Sequence, residues 1–102
     1  MEDSTMAVTV TLEFSVLLER VDKFKALLRE LLPDTRSYEG CLEVDVYQGH
    51  DNPGIIYLVE DWESKVHQQK YQAWRDESGI AKVVGPFLVE EPRFNYFDKQ
   101  DI

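Results

Sequence analysis

The sequence predicts an α+β domain with one antiparallel sheet, and three observations lead there. Apolar residues alternate with period two in several short runs. Two longer stretches switch to helical spacing. The order is strand, helix, strand, strand, helix, strand, the split βαβ or ferredoxin-like arrangement with both helices on one face. The chain has 102 residues, enough for one domain. Residues 1–5 read as a disordered tail and residues 6–102 as that domain.

From Ala7 to Phe14 the positions Val8, Val10, Leu12 and Phe14 share one face of a strand. Over residues 18–32, Val21, Phe24, Leu28 and Leu31 form an apolar stripe, widened by Leu27 and Leu32, with charged residues opposite. Pro33 either ends this helix or opens a further turn through Ser37. Cys41 to Gln48 alternates again, with Leu42, Val44 and Val46 on one face. His50 to Gly54 has turn composition, and Ile55 to Trp62 follows as the second arm of a hairpin. That arm carries bulk on both faces, which marks a central strand.

Ser64 is a candidate N-cap for the second helix, whose apolar positions are Val66, Tyr71 and Trp74. Gly79 breaks it, Ile80 to Val84 form a shorter helical piece, and Phe94, Tyr96 and Phe97 make a last strand. Both helices on one face leave the other sheet face uncovered by its own chain. That face carries Tyr47, Ile55, Tyr57 and Val59, which predicts a homodimer packed sheet to sheet.

The net charge of −9 argues against a nucleic-acid partner, which needs a basic stripe, and against an anionic membrane surface. No apolar run reaches membrane-spanning length. The single cysteine, Cys41, excludes an intrachain disulfide and fits a reducing, cytoplasmic setting. The N-terminus lacks the apolar segment of a signal peptide. His50 and His67 have no matching Cys or carboxylate pattern for zinc, and the isolated glycines form no phosphate loop.

Three segments carry a family resemblance. Thr35-Arg36-Ser37-Tyr38-Glu39-Gly40-Cys41-Leu42 resembles the joint between first helix and second strand in antibiotic biosynthesis monooxygenase domains. Leu58-Val59-Glu60-Asp61-Trp62-Glu63-Ser64 resembles that family's strand-to-helix signature, and Tyr71-Gln72-Ala73-Trp74-Arg75 resembles its second helix. Residues 7–98 follow the family's element order. The resemblance implies a dimeric α/β barrel in which each protomer holds a pocket between sheet and helices. It further implies oxygenation of quinols or polyketide anthrones with dioxygen, without flavin, haem or metal. The protein's task is then to bind an electron-rich aromatic, help deprotonate it and exclude water.

The sequence also departs from its relatives. Many quinol-oxidising members have a histidine nine residues after the strand tryptophan, where this chain has Tyr71. Haem-degrading members have a tryptophan there, a histidine farther on and an asparagine on the first strand. The matching positions here are Tyr71, Ala81 and Glu13 or Thr11. Polyketide-oxidising members have an asparagine at the position of Leu58.

The candidate catalytic residues are Tyr71, Arg75 and Glu60, and the candidate substrate-binding residues are Trp62, Trp74 and Tyr57. Tyr71 would act as hydrogen-bond donor or base, Arg75 would stabilise a phenolate or superoxide, and Trp74 would wall the pocket. The bland alternative is an aromatic core stripe with Arg75 in a surface ion pair. Glu60 and Trp62 share a strand face, so the carboxylate is either a desolvated base beside an indole or a structural partner for an arginine such as Arg36. His67 falls in the first turn of the second helix, on a face expected to be exposed. Cys41 reads as a small buried thiol. Two functional readings follow. One is a cofactor-free monooxygenase acting on a quinol-like or polycyclic phenol. The other is a dimeric small-molecule-binding or stress-associated module, with an isomerase as a further option on the same fold.

Overall fold

The computed structural model describes residues 7–102, so the tail expected at residues 1–5 lies outside the described residues. Strands β1 (Val8–Ser15), β2 (Cys41–Gln48), β3 (Ile55–Trp62) and β4 (Arg93–Phe97) form one sheet in the order β2-β3-β1-β4. Every pairing is antiparallel. Helices α1 (Val21–Ser37), α2 (Lys65–Glu77) and α3 (Ile80–Val84) complete the α+β fold. β3 is an interior strand, as the bulk on both its faces required.

Helix α1 runs through Pro33 rather than stopping at it. Its buried positions Val21, Phe24, Leu28, Leu32 and Thr35 keep one face against the sheet for the whole length. Arg36 then ties its last turn to edge strand β2, donating from Nη2 to the Val44 carbonyl at 3.0 Å. In β2 the register shifts between Cys41 and Glu43. Leu42 is the extra residue of this bulge. It is exposed rather than part of the inward face with Val44, because a bulged residue leaves the pleat.

Ser64 caps α2, accepting from the His67 backbone N–H at 3.2 Å, as its position implied. The face that α2 turns inward differs from the expected one. Val66 and Trp74 are exposed, and the buried residues are Gln68, Tyr71 and Arg75. These follow the spacing i, i+3, i+7, so helical geometry rather than apolarity sets the face. Polar residues occupy it because they find partners inside.

The parity of β3 sorts its side chains. Ile56, Leu58, Glu60 and Trp62 are buried toward the helices, whereas Ile55, Tyr57, Val59 and Asp61 lie half-buried on the other face. Two apolar clusters fill the helix side. One gathers Phe14, Phe24, Leu28, Ile56 and Leu58, and the other Val8, Val10, Trp62 and Tyr71. Glu60 falls in sequence between Leu58 of the first and Trp62 of the second, which sets a carboxylate at the seam. Among the described residues, no helix is long and apolar enough to cross a membrane.

Candidate functional site

A cleft of about 530 Å³ opens between the sheet, the C-terminal halves of α1 and α2, helix α3 and the segment leading into β4. Leu12, Leu28, Leu58, Val84 and Phe94 are among its apolar walls. Glu60, Thr35, Tyr71 and Arg75 supply its inner polar groups. An apolar cleft with a few convergent polar groups is the usual form of a small-molecule site.

Glu60 is 3% exposed. Its Oε1 accepts from Trp62 Nε1 at 3.0 Å, the one hydrogen bond its carboxylate makes among the described residues. Burial pushes the Glu60 carboxyl above the usual carboxylate range; the Trp62 bond and the Arg75 charge oppose that rise. Arg36, the expected arginine partner, is instead bonded to Val44.

Arg75 is 8% exposed, so it makes no surface ion pair. Nε donates to Tyr71 Oη at 2.7 Å, and Nη2 donates to Thr35 Oγ1 at 3.0 Å and to the Leu31 carbonyl at 2.8 Å. Tyr71 and Thr35 share a further bond of 2.7 Å. Each hydroxyl therefore accepts one bond from the same guanidinium, and a single proton links the two. The second hydroxyl proton is left over for another acceptor. Burial raises the Tyr71 pKa, against the lowering effect of Arg75 and Thr35. The phenol is thus a hydrogen-bonding member of the Tyr71–Thr35–Arg75 cluster.

The structure brings Glu60, Tyr71 and Arg75 together at this cleft and leaves the three expected binding aromatics off its lining. Trp62 is fully buried behind Glu60, its ring tilted against that of Tyr71 with centroids 5.0 Å apart. Trp74 faces a separate outer groove with Tyr38, His67 and Lys70, and its ring backs the Arg75 guanidinium at 4.7 Å. Tyr57 occupies an odd position of β3 and so lies on the far side of the sheet. The apolar walls come instead from leucines and from Phe94.

Other residues at or beside the site were missed in the sequence. Thr35 was legible in principle, as the one polar residue in the α1 stripe. Gln68 is fully buried, and its Oε1 accepts from the Tyr96 hydroxyl at 2.5 Å, while Nε2 has no partner among the described residues. Either orientation of that amide leaves one polar atom unpaired, a cost of about 1–3 kcal/mol. The outer rim carries Asp76, Glu90 and Glu91. His67 is a capping residue whose Nδ1 lies 2.7 Å from Ser64 Oγ, and its ring packs over Gly40. Cys41 is half-buried, and burial raises its thiol pKa, which opposes nucleophilic use. Among the described residues no three of His, Cys, Asp and Glu converge as a metal cage.

Comparison with known proteins fits this architecture. A conserved protein from Methanosarcina mazei superposes with a TM-score of 0.84 at 26% identity, over 96% of this chain and 97% of its own. A Mycobacterium tuberculosis protein gives 0.82 at 22% identity, over 94% and 97%. A crystal structure described as an antibiotic biosynthesis monooxygenase gives 0.81 at 19% identity, over 91% and 98%. No curated protein matches the chain. Residues 7–85 match the sequence profile of the antibiotic biosynthesis monooxygenase family. The match spans most of the chain. The chain is therefore a member of the antibiotic biosynthesis monooxygenase family.

Proposed function

We propose that this protein is a cofactor-independent monooxygenase that oxidises a quinol-like or polycyclic phenolic substrate with dioxygen. The observation that carries the reading is Glu60, a buried carboxylate on the wall of an apolar cleft with one oxygen fixed by Trp62 and no hydrogen bond to the other from any described residue. A desolvated carboxylate with a raised pKa is a stronger base than one in water. The substrate hydroxyl gives its proton to Glu60. Arg75 and the spare hydroxyl proton of the Tyr71–Thr35 pair stabilise the resulting phenolate oxygen. The electron-rich anion then reduces dioxygen, which the apolar walls admit while excluding water.

The atoms balance without another reductant. A quinol and dioxygen give a hydroxyquinone and water. In an anthrone, a ring methylene becomes a carbonyl and the second oxygen atom leaves as water. The reading also includes a homodimer through the open sheet face, supported by Tyr47, Tyr57 and Val59 on that face. The test is to incubate metal-stripped protein with reduced quinols and anthrones under labelled dioxygen. One labelled oxygen atom in the product and one in water is the expected result. Oxygenated product without label, or none from any substrate of either class, would overturn the reading.

A further inference from the structure

The charges around the cleft are unevenly divided. Among the described residues, its lining carries the carboxylates Glu60, Asp76, Glu90 and Glu91 against one cation, Arg75. Glu60 and Arg75 offset one another inside. The three remaining acids are exposed at the mouth, and among the described residues only Glu90 of the three has an ion-pair partner, Arg93 at 3.6 Å. An approaching molecule therefore crosses a negative rim, within a chain of net charge −9, before it reaches the cation.

We propose that this acidic collar restricts the cleft to substrates that arrive uncharged and carry their own proton to Glu60, and that it turns away otherwise similar carboxylates. The inference rests on the reading of the cleft given above and adds the charge class of its substrate. The chemistry agrees with it. When the substrate O–H bond breaks and its proton bonds to Glu60, the phenolate gains the charge that Glu60 loses. The net charge inside the collar stays constant through the proton transfer, so the collar does not oppose that step. A substrate that enters as an anion adds a charge against Asp76, Glu90 and Glu91 and brings no compensating proton to Glu60 from its ionised group.

Two causes could disfavour an anion here, and they separate experimentally. Desolvation of a carboxylate in an apolar cleft is insensitive to salt and to the rim. Repulsion by exposed carboxylates weakens as the Debye length falls from about 30 Å at 0.01 M salt to about 3 Å at 1 M. The experiment is calorimetric titration without oxygen, using naphthol and a hydroxynaphthoate that differs from it by one carboxylate. The proteins are wild type and the double variant Asp76→Asn/Glu91→Gln. Wild type should prefer naphthol by about tenfold or more at low salt. The preference should shrink severalfold in high salt and in the double variant. A preference that neither salt nor the double variant changes would overturn the collar, as would equal binding of the two probes, and both leave the monooxygenase reading standing. Binding of neither probe would overturn the collar together with the assignment of the cleft as a phenol site.

Discussion

The indole N–H of Trp62 donates to the Glu60 carboxylate across 3.0 Å, between two buried side chains two positions apart on one strand. Strand parity puts both on the helix side of the sheet, and the bond fixes which carboxylate oxygen is left for a ligand. Trp62 thus acts on the cleft through Glu60 rather than as one of its walls. Replacing it with phenylalanine keeps an aromatic ring and removes the donor. Because that bond holds the Glu60 pKa down, Trp62→Phe should shift the acid limb of a pH–rate profile upward. An unchanged limb would show that the bond does not tune the base.

The same carboxylate makes stability depend on pH. Its pKa in the fold is raised above the ordinary value of 4.5. Its contribution is fully present below that value and is lost as pH rises through the raised one. Glu60→Gln retains an acceptor for Trp62 and cannot ionise. The variant should gain melting temperature over wild type at pH about 8, with the gain shrinking toward pH about 4. Thermal melts across that range check it, and a gap independent of pH contradicts it.

Arg75 is held by three donated hydrogen bonds in a buried setting. Arg75→Lys keeps the charge and loses the planar fork that joins Tyr71, Thr35 and Leu31. It should lower stability by about 1.5–3 kcal/mol, well beyond the worth of an exposed ion pair. Turnover should fall by a further margin, about 2–4 kcal/mol in the barrier. Urea unfolding and kcat/KM on the same preparation measure the two effects.

Gly40 joins α1 to β2 with φ of 92°, and a Cβ there would meet the His67 ring at 2.4 Å. Gly40→Ala is therefore strained in backbone and blocked by a ring that is itself held in the α2 cap. A loss of about 1–3 kcal/mol is expected in denaturant unfolding. A double variant that also carries His67→Ala removes the ring but keeps a Cβ at 2.5 Å, so it should recover only part of the steric loss and none of the backbone part.

The fold was legible in the sequence because β1, β3 and α1 each obey one simple period. Val8 to Phe14 and Ile55 to Trp62 alternate, and the α1 stripe steps by three and four. The inward face of α2 was not legible. Gln68 and Arg75 are polar, and apolar patterning assigned their places to Val66 and Trp74. Only the partners contributed by α1 and β4, namely Thr35, the Leu31 carbonyl and Tyr96, explain why polar groups are buried there. Glu60, Tyr71 and Arg75 were read from local motifs that the fold draws to one cleft. The leucine walls and the acidic rim join elements far apart in sequence, and no local motif marks them. Tyr57 was given two roles, and strand parity leaves it only the one on the open face.

In the proposed mechanism Glu60 takes a proton from the substrate so that dioxygen can be reduced. The most direct measurement of this step is the initial rate of oxygen uptake by metal-stripped wild type, Glu60→Gln and Glu60→Asp on one verified quinol or anthrone. Loss of a general base costs about 10²–10⁴ in rate. A loss of that size is expected for Glu60→Gln, with partial activity for Glu60→Asp and no response of wild type to added chelator. Oxygen uptake by Glu60→Gln equal to wild type, with the fold intact, would contradict it.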